Sequence, residues 1–333
     1  MPRVRLRHIH LAASPSQGIF PSYQTAAALQ ELLRRRQLDF QDAGSPSPAS
    51  RGIQGLSAPQ PTLVSFTPQP TYTLGRRQAQ AHPASLSPAD ISRLKAPLHL
   101  RAGPAPGSEH VFRPSVLTSP RGGLATYHGP GQVVLWPVMV INSSTRALGH
   151  NHFTVRCYSR LLERTTISLL RRLFALPAFT TDDPGVWVRT PSPRGGDGEV
   201  RKISALGIHL RRHVSSLGTA INLDMPTTRA AGSATVQQRD GAGPDETTNP
   251  WARFVACGLA GKGVTCVEEE LLAAGRTGIP GGLDSEVVAR AWAEELAEGM
   301  GLGAQAVELV GRDETEELVV ASRPDGYADS SLL

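Results

Sequence analysis

The chain is poor in lysine. Of the 34 basic residues among its 333 residues, 31 are arginines, and only Lys95, Lys202 and Lys262 are lysines. A guanidinium group stays protonated in proteins, whereas a lysine amine loses its proton when its surroundings disfavour the charge. The three lysines are therefore the candidates for chemistry that needs a neutral amine. Lys262 lies in an open Gly-Lys-Gly segment, for which a solvated surface amine is the expectation.

Cysteines are equally few. Cys157, Cys257 and Cys266 make neither a disulfide framework nor a zinc-ligand pattern, which indicates a reducing compartment and free thiols. Cys257 lies among three glycines shortly before a predicted helix, a setting that favours a thiolate and offers backbone N–H groups to an oxyanion. We interpret Cys257 as a candidate nucleophile, with a small residue in a tight loop as the alternative. Cys157 is expected to pack at a helix boundary or in the core, and Cys266 is expected to be structural.

Several long or conspicuous motifs are missing. No run of 18 apolar residues is present, so the sequence predicts no membrane-spanning helix. Neither GxxxxGK[ST] nor a GxGxxG between a strand and a helix occurs, which argues against an ATP-dependent ligase. Helix-turn-helix, zinc-finger and aromatic RNA-binding motifs are also absent. We therefore predict no membrane and no nucleic-acid partner.

Acidic residues are unevenly placed. Residues 267–333 hold 15 acidic and 4 basic residues, so the preceding part of this chain of net charge +5 is strongly basic. A basic body suits an acidic partner, either a nucleic acid or an acidic carrier protein. A generally basic composition without any function is the alternative.

Hydrophobic periodicity predicts a mixed order of strands and helices. We predict a strand and then a helix in residues 1–43, a strand, a turn and a strand in 61–77, a buried strand in 133–141 with Pro137 at an edge or a bulge, a strand in 182–189, a hairpin in 201–225 and a helix in 285–299. Residues 151–175 predict an amphipathic helix, and the face expected to be buried consists of Tyr158, Leu161, Leu162, Leu169 and Leu173.

Two stretches, at about 44–60 and 80–119, are rich in Pro, Ser, Gly and Ala, and two others, at 190–200 and 227–249, are polar. We expect surface insertions at about 44–60, 80–119, 190–200 and 227–249, and a disordered tail at 321–333. The rest, within residues 1–320, is expected to form one catalytic domain. Because adjacent predicted strands lie too close together for βαβ crossovers throughout, the expected α/β (α+β) fold is a mixed, largely antiparallel sheet flanked by helices, on one side.

One stretch has the composition of a ligand loop. RGGLATYHGPGQ, residues 121–132, holds four glycines in twelve residues, which lets the backbone approach a ligand. Arg121, Tyr127 and His128 add a fixed charge, an aromatic face and a titratable ring. A glycine-rich hairpin without function is the alternative.

Four motifs in order resemble the lipoyl(octanoyl) transferases. They are RGGLATYHGPGQVVLWP, PGVWV, RKISALGIHLRR…LGTAINLDM and FVACGLAGKGVTCV. The resemblance spans about residues 3–300, interrupted by the insertions, and it implies a fold like the catalytic domain of biotin and lipoate protein ligases. It also implies transfer of an octanoyl group from octanoyl-acyl carrier protein to a lysine on the lipoyl domains of 2-oxoacid dehydrogenases or on glycine cleavage protein H, with no cofactor.

By position, the resemblance assigns the acyl-thioester cysteine to Cys257 and the catalytic lysine to Lys202. The substrate-binding segments it implies are Arg121, Gly122, Gly123, Leu124, Ala125, Thr126, Tyr127 and His128, then Ala205, Leu206 and Gly207, and finally Gly218, Thr219 and Ala220. Two positions depart from the family pattern and bear on acyl-chain preference. Ala256 stands where the family usually has proline, and Thr219 where a larger apolar residue is common.

The residues themselves and the family resemblance both predict a covalent mechanism, in which Cys257 carries the acyl group. The base that takes the proton of Cys257 could be a histidine, for which His128, His209 and His213 are available. Lys202 could also serve as this base if burial lowers its pKa from about 10.4 toward that of a thiol, near 8.5. The competing interpretations are an ATP-dependent lipoate or biotin protein ligase, a non-catalytic module that binds carrier proteins, and an RNA-binding protein suggested by charge alone.

The expected location is the mitochondrion, with the bacterial cytoplasm as the alternative. Long insertions suggest a eukaryotic relative, whose location the resemblance would make mitochondrial. No acidic residue precedes Glu31, as in mitochondrial presequences, but the same residues predict a strand and a helix of the fold.

Overall fold

The structure is a computed structural model, and it describes residues 4–43, 58–80, 86–101, 109–142, 149–191, 198–228, 245–254, 262–276 and 283–323. The strands are β1 (Leu6–Leu11), β2 (Thr62–Phe66), β3 (Thr71–Leu74), β4 (Leu98–Arg101), β5 (Glu109–Phe112), β6 (Ser115–Thr118), β7 (Ala125–His128), β8 (Gln132–Val138), β9 (Val186–Thr190), β10 (Glu199–Arg211), β11 (Val214–Asn222), β12 (Gly263–Val264) and β13 (Val307–Leu309). The helices are α1 (Tyr23–Ala43), α2 (Arg76–Gln80), α3 (Pro88–Lys95), α4 (Val155–Phe174), α5 (Val267–Ala273), α6 (Ser285–Gly299) and α7 (Arg312–Ala321).

A large mixed sheet forms the centre of the molecule. Its order is β12-β10-β11-β8-β2-β1-β13, and β9 pairs with β10 beside this path. The pairs β10–β11, β11–β8, β8–β2 and β9–β10 are antiparallel, whereas β1–β2, β1–β13 and β10–β12 are parallel. A smaller sheet, β6-β3-β7, and the β4–β5 hairpin complete the described strands. The predicted mixed, largely antiparallel sheet is therefore confirmed.

Helices cover both faces of the large sheet, so the expectation of helices on one side was wrong. Val133 and Leu135 of β8 share a core cluster with residues of α4 and α6. Val134 and Trp136 face the opposite way and share a second cluster with residues of α1 and α7. Because successive strand residues point to opposite faces, a strand with every residue buried, as β8 has, needs cover on both sides.

Pro137 was expected at an edge or a bulge, and the edge is excluded because β8 is an interior strand. β8 pairs with β11 on one side and with β2 on the other. On the β11 side the regular pairing ends at Thr219 and Leu135, and it resumes where the Ser215 N–H donates to the Met139 carbonyl at 2.8 Å. The proline, which has no N–H, is accommodated at this interruption.

The amphipathic helix is confirmed as α4, with two corrections. Thr154 caps its N-terminus by accepting a hydrogen bond from the Cys157 N–H, and Ala175 ends it in the left-handed conformation with φ 51°. Tyr158, Leu161, Leu162 and Leu169 are buried as predicted, but Leu173 and Cys157 are exposed. Cys157 lies in the first turn of the helix and Leu173 in the last turn.

The stretch 80–119 was wrongly expected to be an insertion without regular structure, because it contains α3, β4, β5 and β6. Ser87 and Asp90 form a capping box that starts α3. Each of the three strands has only four residues, too few to show a periodicity in the sequence. Much of the other three expected insertions, at 44–60, 190–200 and 227–249, and most of the expected tail at 321–333, lie outside the described residues.

Candidate functional site

A cavity of about 390 Å³ opens where the β10–β11 hairpin meets the segment before β7. Many residues predicted as site residues line it, namely Arg121, Gly122, Gly123, Thr126, His128, Lys202, Ala205, Leu206, Gly207, Gly218, Thr219 and Ala220. Leu124, Ala125 and Tyr127 are absent from its described lining. Tyr127 instead packs in a separate core cluster with Tyr72 and Trp251.

Two of the predicted segments face each other across one strand pair. Ala205 pairs with Ala220, Leu206 with Thr219, and Gly207 with Gly218. A Cβ atom at Gly207 would lie 2.9 Å from Cδ of Arg121, and one at Gly218 would lie 2.2 Å from the Leu135 carbonyl oxygen. A side chain at either position would therefore clash with a close neighbour, and the Arg121 side chain lies directly over Gly207.

Arg121 is buried and anchors the glycine-rich segment. Its guanidinium donates to the Thr73 carbonyl at 2.6 Å, to the Thr73 hydroxyl at 2.9 Å and to the Leu124 carbonyl at 2.8 Å. These contacts tie β3 to the turn that precedes β7. The planar fork of arginine suits several fixed acceptors at once, which a lysine amine would not satisfy.

His128 begins a chain of hydrogen bonds that crosses the sheet. His128 Nδ1 lies 2.7 Å from Gln132 Oε1, Gln132 Nε2 donates to Asn222 Oδ1 at 2.9 Å, and Asn222 Nδ2 donates to the Thr265 carbonyl at 2.9 Å. A carbonyl only accepts, so this last bond fixes the direction of the whole chain. His128 therefore carries its proton on Nδ1, and Nε2 is the accepting atom of its ring.

The buried position keeps His128 neutral. Burial lowers the pKa of His128 from 6.5 to about 4, against a smaller raising effect of the Gln132 hydrogen bond. The ring also packs against Tyr23, with ring centroids 5.6 Å apart. At neutral pH the side chain can accept or orient a proton, and it carries no charge.

Lys202 lies inside β10, opposite Trp187 of β9. Its Nζ is 4.6 Å from the centroid of the Trp187 ring, and the Thr265 N–H donates to its carbonyl at 2.9 Å. A Cβ atom at Gly185 would approach Cε of Lys202 to 3.6 Å, and Gly185 has φ +115°, a conformation open to glycine. The turn before β9 thus leaves room for the lysine stem. Lys202 is the fourth residue of β10.

Lys262 is not the solvated amine that the sequence indicated. Its Nζ forms an ion pair with Asp183 Oδ2 at 2.5 Å and lies 4.9 Å from the Trp187 ring centroid. The side chain is 38% exposed. The sequence could not show this because Asp183 is far away along the chain.

The cysteines differ in their surroundings. Cys257 lies outside the described residues, but Trp251 and Val264, which precede and follow it in the sequence, both line the cavity. Burial raises the pKa of Cys266 to about 11, which suits a structural thiol. Exposed Cys157 has a lowered pKa, mainly because the Thr154 hydroxyl donates a hydrogen bond to its thiolate.

Comparison with known proteins identifies the family. The model of the lipoyl protein ligase A/B catalytic domain matches residues 53–252, more than half of the chain. The chain belongs to this family. The matched family region includes β10 and β11 with Lys202, and it ends five residues before Cys257.

Curated relatives of this family member are octanoyltransferases. A mitochondrial octanoyl-[acyl-carrier-protein]:protein N-octanoyltransferase of Danio rerio is 34% identical over 63% of this chain and 67% of its own length. The mitochondrial octanoyltransferase of Saccharomyces cerevisiae is 29% identical over 50% of this chain and 46% of its own, and the octanoyltransferase of Shewanella oneidensis is 32% identical over 47% and 70%. The match thus spans about half the length of the yeast relative.

Among solved structures, a putative lipoate protein ligase of Thermoplasma acidophilum with bound lipoic acid aligns over 96% of this chain and 94% of its own, with 11% identity and a TM-score of 0.46. A lipoate-protein ligase A bound with ATP aligns over 95% and 93%, with 12% identity and a TM-score of 0.48.

Sequence reasoning did not name eleven residues that line the cavity. They are Tyr23, Arg77, Trp136, Ser159, Asp183, Pro184, Ile208, Leu217, Asn222, Trp251 and Val264. Several lie within or beside the motifs that carried the family resemblance, such as Pro184 in PGVWV and Asn222 in AINLDM. Others, such as Tyr23 and Ser159, come from helices whose sequences signal only amphipathic packing.

Among the residues that the structure describes, no cluster of three or more His, Cys, Asp or Glu side chains could hold a metal ion. Within the same ranges, every helix is too short or too polar to cross a lipid bilayer.

Proposed function

We propose that this chain is an octanoyltransferase that moves an octanoyl group from an acyl carrier protein to a lysine of a lipoyl domain, through a thioester on Cys257. The observation that carries the proposal is the cavity that brings Lys202 together with the Arg121 segment and the paired 205–207 and 218–220 segments. The names of the curated relatives support the same reaction.

Two transfers make up the proposed reaction. Lys202 removes the proton of the Cys257 thiol, the thiolate attacks the thioester carbonyl of the donor, and the donor thiol leaves with a proton. The neutral amine of the acceptor lysine then attacks the acyl-enzyme. An amide forms, the Cys257 thiolate leaves, and the proton of the amine passes to a base, again Lys202. A thioester is already activated, so the reaction needs neither ATP nor a cofactor.

Backbone and apolar groups complete the proposed site. The N–H groups of the glycine-rich segment around Cys257 stabilise the oxyanion that forms at each transfer. The octanoyl chain packs in the cavity against the apolar side chains of its lining, namely Trp136, Leu206, Ile208, Leu217, Trp251 and Val264. A volume of about 390 Å³ lies within the range of roughly 300–1,000 Å³ that small-molecule sites occupy.

The partners and the location belong to the same proposal. The donor is octanoyl-acyl carrier protein, and the acceptors are lipoyl domains of 2-oxoacid dehydrogenases and glycine cleavage protein H. The relatives of Danio rerio and Saccharomyces cerevisiae are mitochondrial, which supports a mitochondrial location, while the Shewanella oneidensis relative leaves the bacterial cytoplasm as the alternative.

Intact-protein mass spectrometry tests the function. The protein is mixed with octanoyl-acyl carrier protein without ATP, and Cys257→Ser and Lys202→Ala are compared with the wild type. We expect one octanoyl adduct on the wild type, removed by hydroxylamine, no adduct on Cys257→Ser, and adduct formation on Lys202→Ala at least about a hundredfold slower, as for loss of a general base.

Transfer of octanoate to a lipoyl domain by Cys257→Ser would show that no acyl-cysteine intermediate is required. A wild type that transfers octanoate only when ATP is added would instead identify an ATP-dependent lipoate or biotin ligase. Tight binding of the carrier protein without any transfer would identify a non-catalytic binding module.

A further inference from the structure

One residue of the cavity lining has a strained backbone. Leu217 lies within β11 with φ +60°, in the left-handed region, and its side chain is 5% exposed. This region costs free energy for a residue with a bulky side chain, because the Cβ atom comes too close to the backbone. Such strain persists only where the surrounding structure imposes it, and it clusters at functional sites. The neighbours of Leu217 must therefore hold it in this conformation.

The left-handed conformation moves the Leu217 side chain to the other face of the sheet. Leu217 pairs with Ile208 across the antiparallel β10–β11 pair. Residues paired in this way normally present their side chains on the same face. Ile208 packs against the core cluster that contains residues of α4 and α6, whereas Leu217 belongs to the cluster that contains residues of α1 and α7. A regular strand would have placed Leu217 beside Ile208 instead.

Pro137 of β8 permits this conformation. The pairs Thr219–Leu135 and Val214–Val140 have the same register, so Pro137 lies opposite Leu217 between them. Proline has no N–H and cannot donate a ladder hydrogen bond to the Leu217 carbonyl. The backbone of Leu217 is therefore released from the regular ladder with β8 at the residue where it turns.

On the α1 face, Leu217 joins two aromatic side chains of the cavity lining. Tyr23 of α1 and Trp136 of β8 line the cavity together with Leu217, and all three belong to the same core cluster. The Tyr23 and Trp136 rings lie edge to face with centroids 5.0 Å apart, and Trp136 packs in the same way against Phe66 at 4.8 Å. This packing fixes the positions of both rings. We call Tyr23, Trp136 and Leu217 the distal wall of the cavity.

Small residues separate the distal wall from Lys202. Lys202 is the fourth residue of β10, and Ile208, the partner of Leu217, lies six residues farther along the same strand. Two of the residue pairs between them line the cavity and consist only of alanine or glycine, namely Ala205–Ala220 and Gly207–Gly218. An acyl chain whose carbonyl lies at the Lys202 end therefore passes over residues with little side-chain bulk before it reaches the distal wall.

We propose that Leu217 sets the length of the acyl chain that the cavity accepts, so that an octanoyl chain fills the space between Lys202 and the distal wall. The inference rests on the proposed function, which places the acyl carbonyl at Lys202 and Cys257. A longer chain displaces Leu217 or one of the two packed rings, and a shorter chain leaves part of the wall uncovered. The left-handed backbone of Leu217 brings the apolar side chain to this place.

Acylation by donors of different length tests the proposal. The donors are the pantetheine thioesters of hexanoic, octanoic, decanoic and dodecanoic acid, and the second-order rate constant of acyl-enzyme formation is measured by intact-protein mass spectrometry. The wild type is compared with Leu217→Ala and Leu217→Gly, and circular dichroism confirms that each variant is folded. Glycine adopts a φ of +60° without strain, so Leu217→Gly offsets part of the core packing that both variants lose.

The wild type should react fastest with the octanoyl donor. In both variants we expect the ratio of the decanoyl to the octanoyl rate constant to rise at least about tenfold, because one methylene group in an apolar pocket changes such a ratio by roughly 10–200-fold.

Leu33→Ala is the matched control. Leu33 is 6% exposed in the same core cluster as Leu217, and it is absent from the described lining of the cavity. It lies on α1 about 15 Å from Tyr23 along the helix axis. The control variant removes the same side-chain atoms from the same core, so it should lose stability and keep the wild-type ratio of rate constants.

The wild-type length preference in both Leu217 variants would overturn the proposal, as would the same change of preference in Leu33→Ala. A wild type that no donor acylates would contradict the proposed function instead. Calorimetric binding of octanoic and dodecanoic acid then reports the length of the cavity without the reaction. Both Leu217 variants should gain at least about tenfold in affinity for dodecanoic acid relative to octanoic acid, and no gain would again overturn the proposal.

Discussion

At the scale of single residues, the site is organised by side chains that are neutral or already paired. The Arg121 guanidinium donates hydrogen bonds to backbone carbonyls. His128 donates to Gln132, Gln132 donates to Asn222, and Asn222 donates to the Thr265 carbonyl. The same Thr265 bonds through its N–H to the Lys202 carbonyl. His128 is thus connected, by fixed polar groups, to the strand that carries Lys202.

The buried neutral state of His128 makes stability depend on pH. The pKa is 6.5 in the unfolded chain and about 4 in the folded protein, so below pH 6.5 the unfolded state binds a proton that the folded state excludes. Stability is therefore lost as the pH falls from 6.5 to about 4. Glutamine does not titrate in this range. We therefore expect His128→Gln to reduce the slope of the free energy of unfolding against pH by up to about 1.4 kcal/mol per pH unit in this window.

Urea unfolding at intervals between pH 7.5 and 4 measures this slope. His8, whose pKa burial lowers to about 3, retains its own contribution in the His128→Gln variant and is the internal reference. Parallel curves for the wild type and the variant would show that His128 is protonated in the folded protein.

At the scale of elements, a buried ion pair joins the strand of Lys202 to the helix that follows the Cys257 segment. Arg201 of β10 bonds to Glu270 of α5 at 2.7 Å and to Glu269 at 2.6 Å, and the three side chains are 0%, 3% and 26% exposed. Thr190 of β9 and Thr265 also donate to Glu270. Glu270 is therefore the shared acceptor of β9, β10 and the residue that follows β12.

We expect Glu270→Ala to lower the free energy of unfolding by about 3–5 kcal/mol, because it leaves the Arg201 charge buried with a weaker partner. Glu269→Ala removes a more exposed partner of the same arginine and should cost less than about 1 kcal/mol. Urea denaturation compares the two variants. Equal losses in both would mean that burial of Glu270 contributes nothing to the pair.

Elements with a strong local pattern were predictable, and elements defined by distant partners were not. The β10–β11 hairpin follows from alternating apolar residues around a short turn, and it brings residues 205–207 opposite 218–220 without help from the rest of the chain. The apolar run of β8 predicted a buried strand, which is confirmed, although the helices were expected on one side of the sheet only. By contrast, β6 is a strand because it pairs with β3. A stretch of four residues is too short for the sequence to predict that pairing.

The same distinction holds for the site. Lys202 could be singled out because lysine is rare in this chain. The meeting of Lys202, Lys262 and Asp183 could not, because it requires β9 and β12 to pair with opposite edges of β10. Contacts that depend on such pairings appear only once the sheet is assembled.

At the scale of the whole molecule, unpaired positive charge lies beside the cavity. Arg156, Arg160 and Arg164 recur at four-residue intervals on α4, are exposed, and form no ion pair with another described residue. They extend over about 12 Å of helix. Ser159 of the same helix lines the cavity, whereas Arg172 at the other end pairs with Glu295 at 2.6 Å.

Under the proposed function, this row of arginines faces an acidic donor whose long thioester arm can reach the cavity from a distance. We expect the triple variant Arg156→Glu, Arg160→Glu, Arg164→Glu to raise KM for octanoyl-acyl carrier protein at least about tenfold, because like charges repel the donor. The salt dependence of KM should weaken in the same variant. Steady-state kinetics at several ionic strengths measures both effects.

A second triple variant distinguishes the effect of this row of arginines on KM from the effect of the total charge of the protein. Arg36→Glu, Arg113→Glu and Arg290→Glu make the same charge change at exposed positions on α1, after β5 and on α6. Acylation by an octanoyl thioester of pantetheine, which has no protein surface to dock, should be equal in both triple variants. The pantetheine thioester and octanoyl-acyl carrier protein differ only in the contact that the carrier makes with the protein surface. A similar rise of KM for octanoyl-acyl carrier protein in both triple variants would therefore assign the effect to net charge. An unchanged KM in the α4 variant would place the donor on another face.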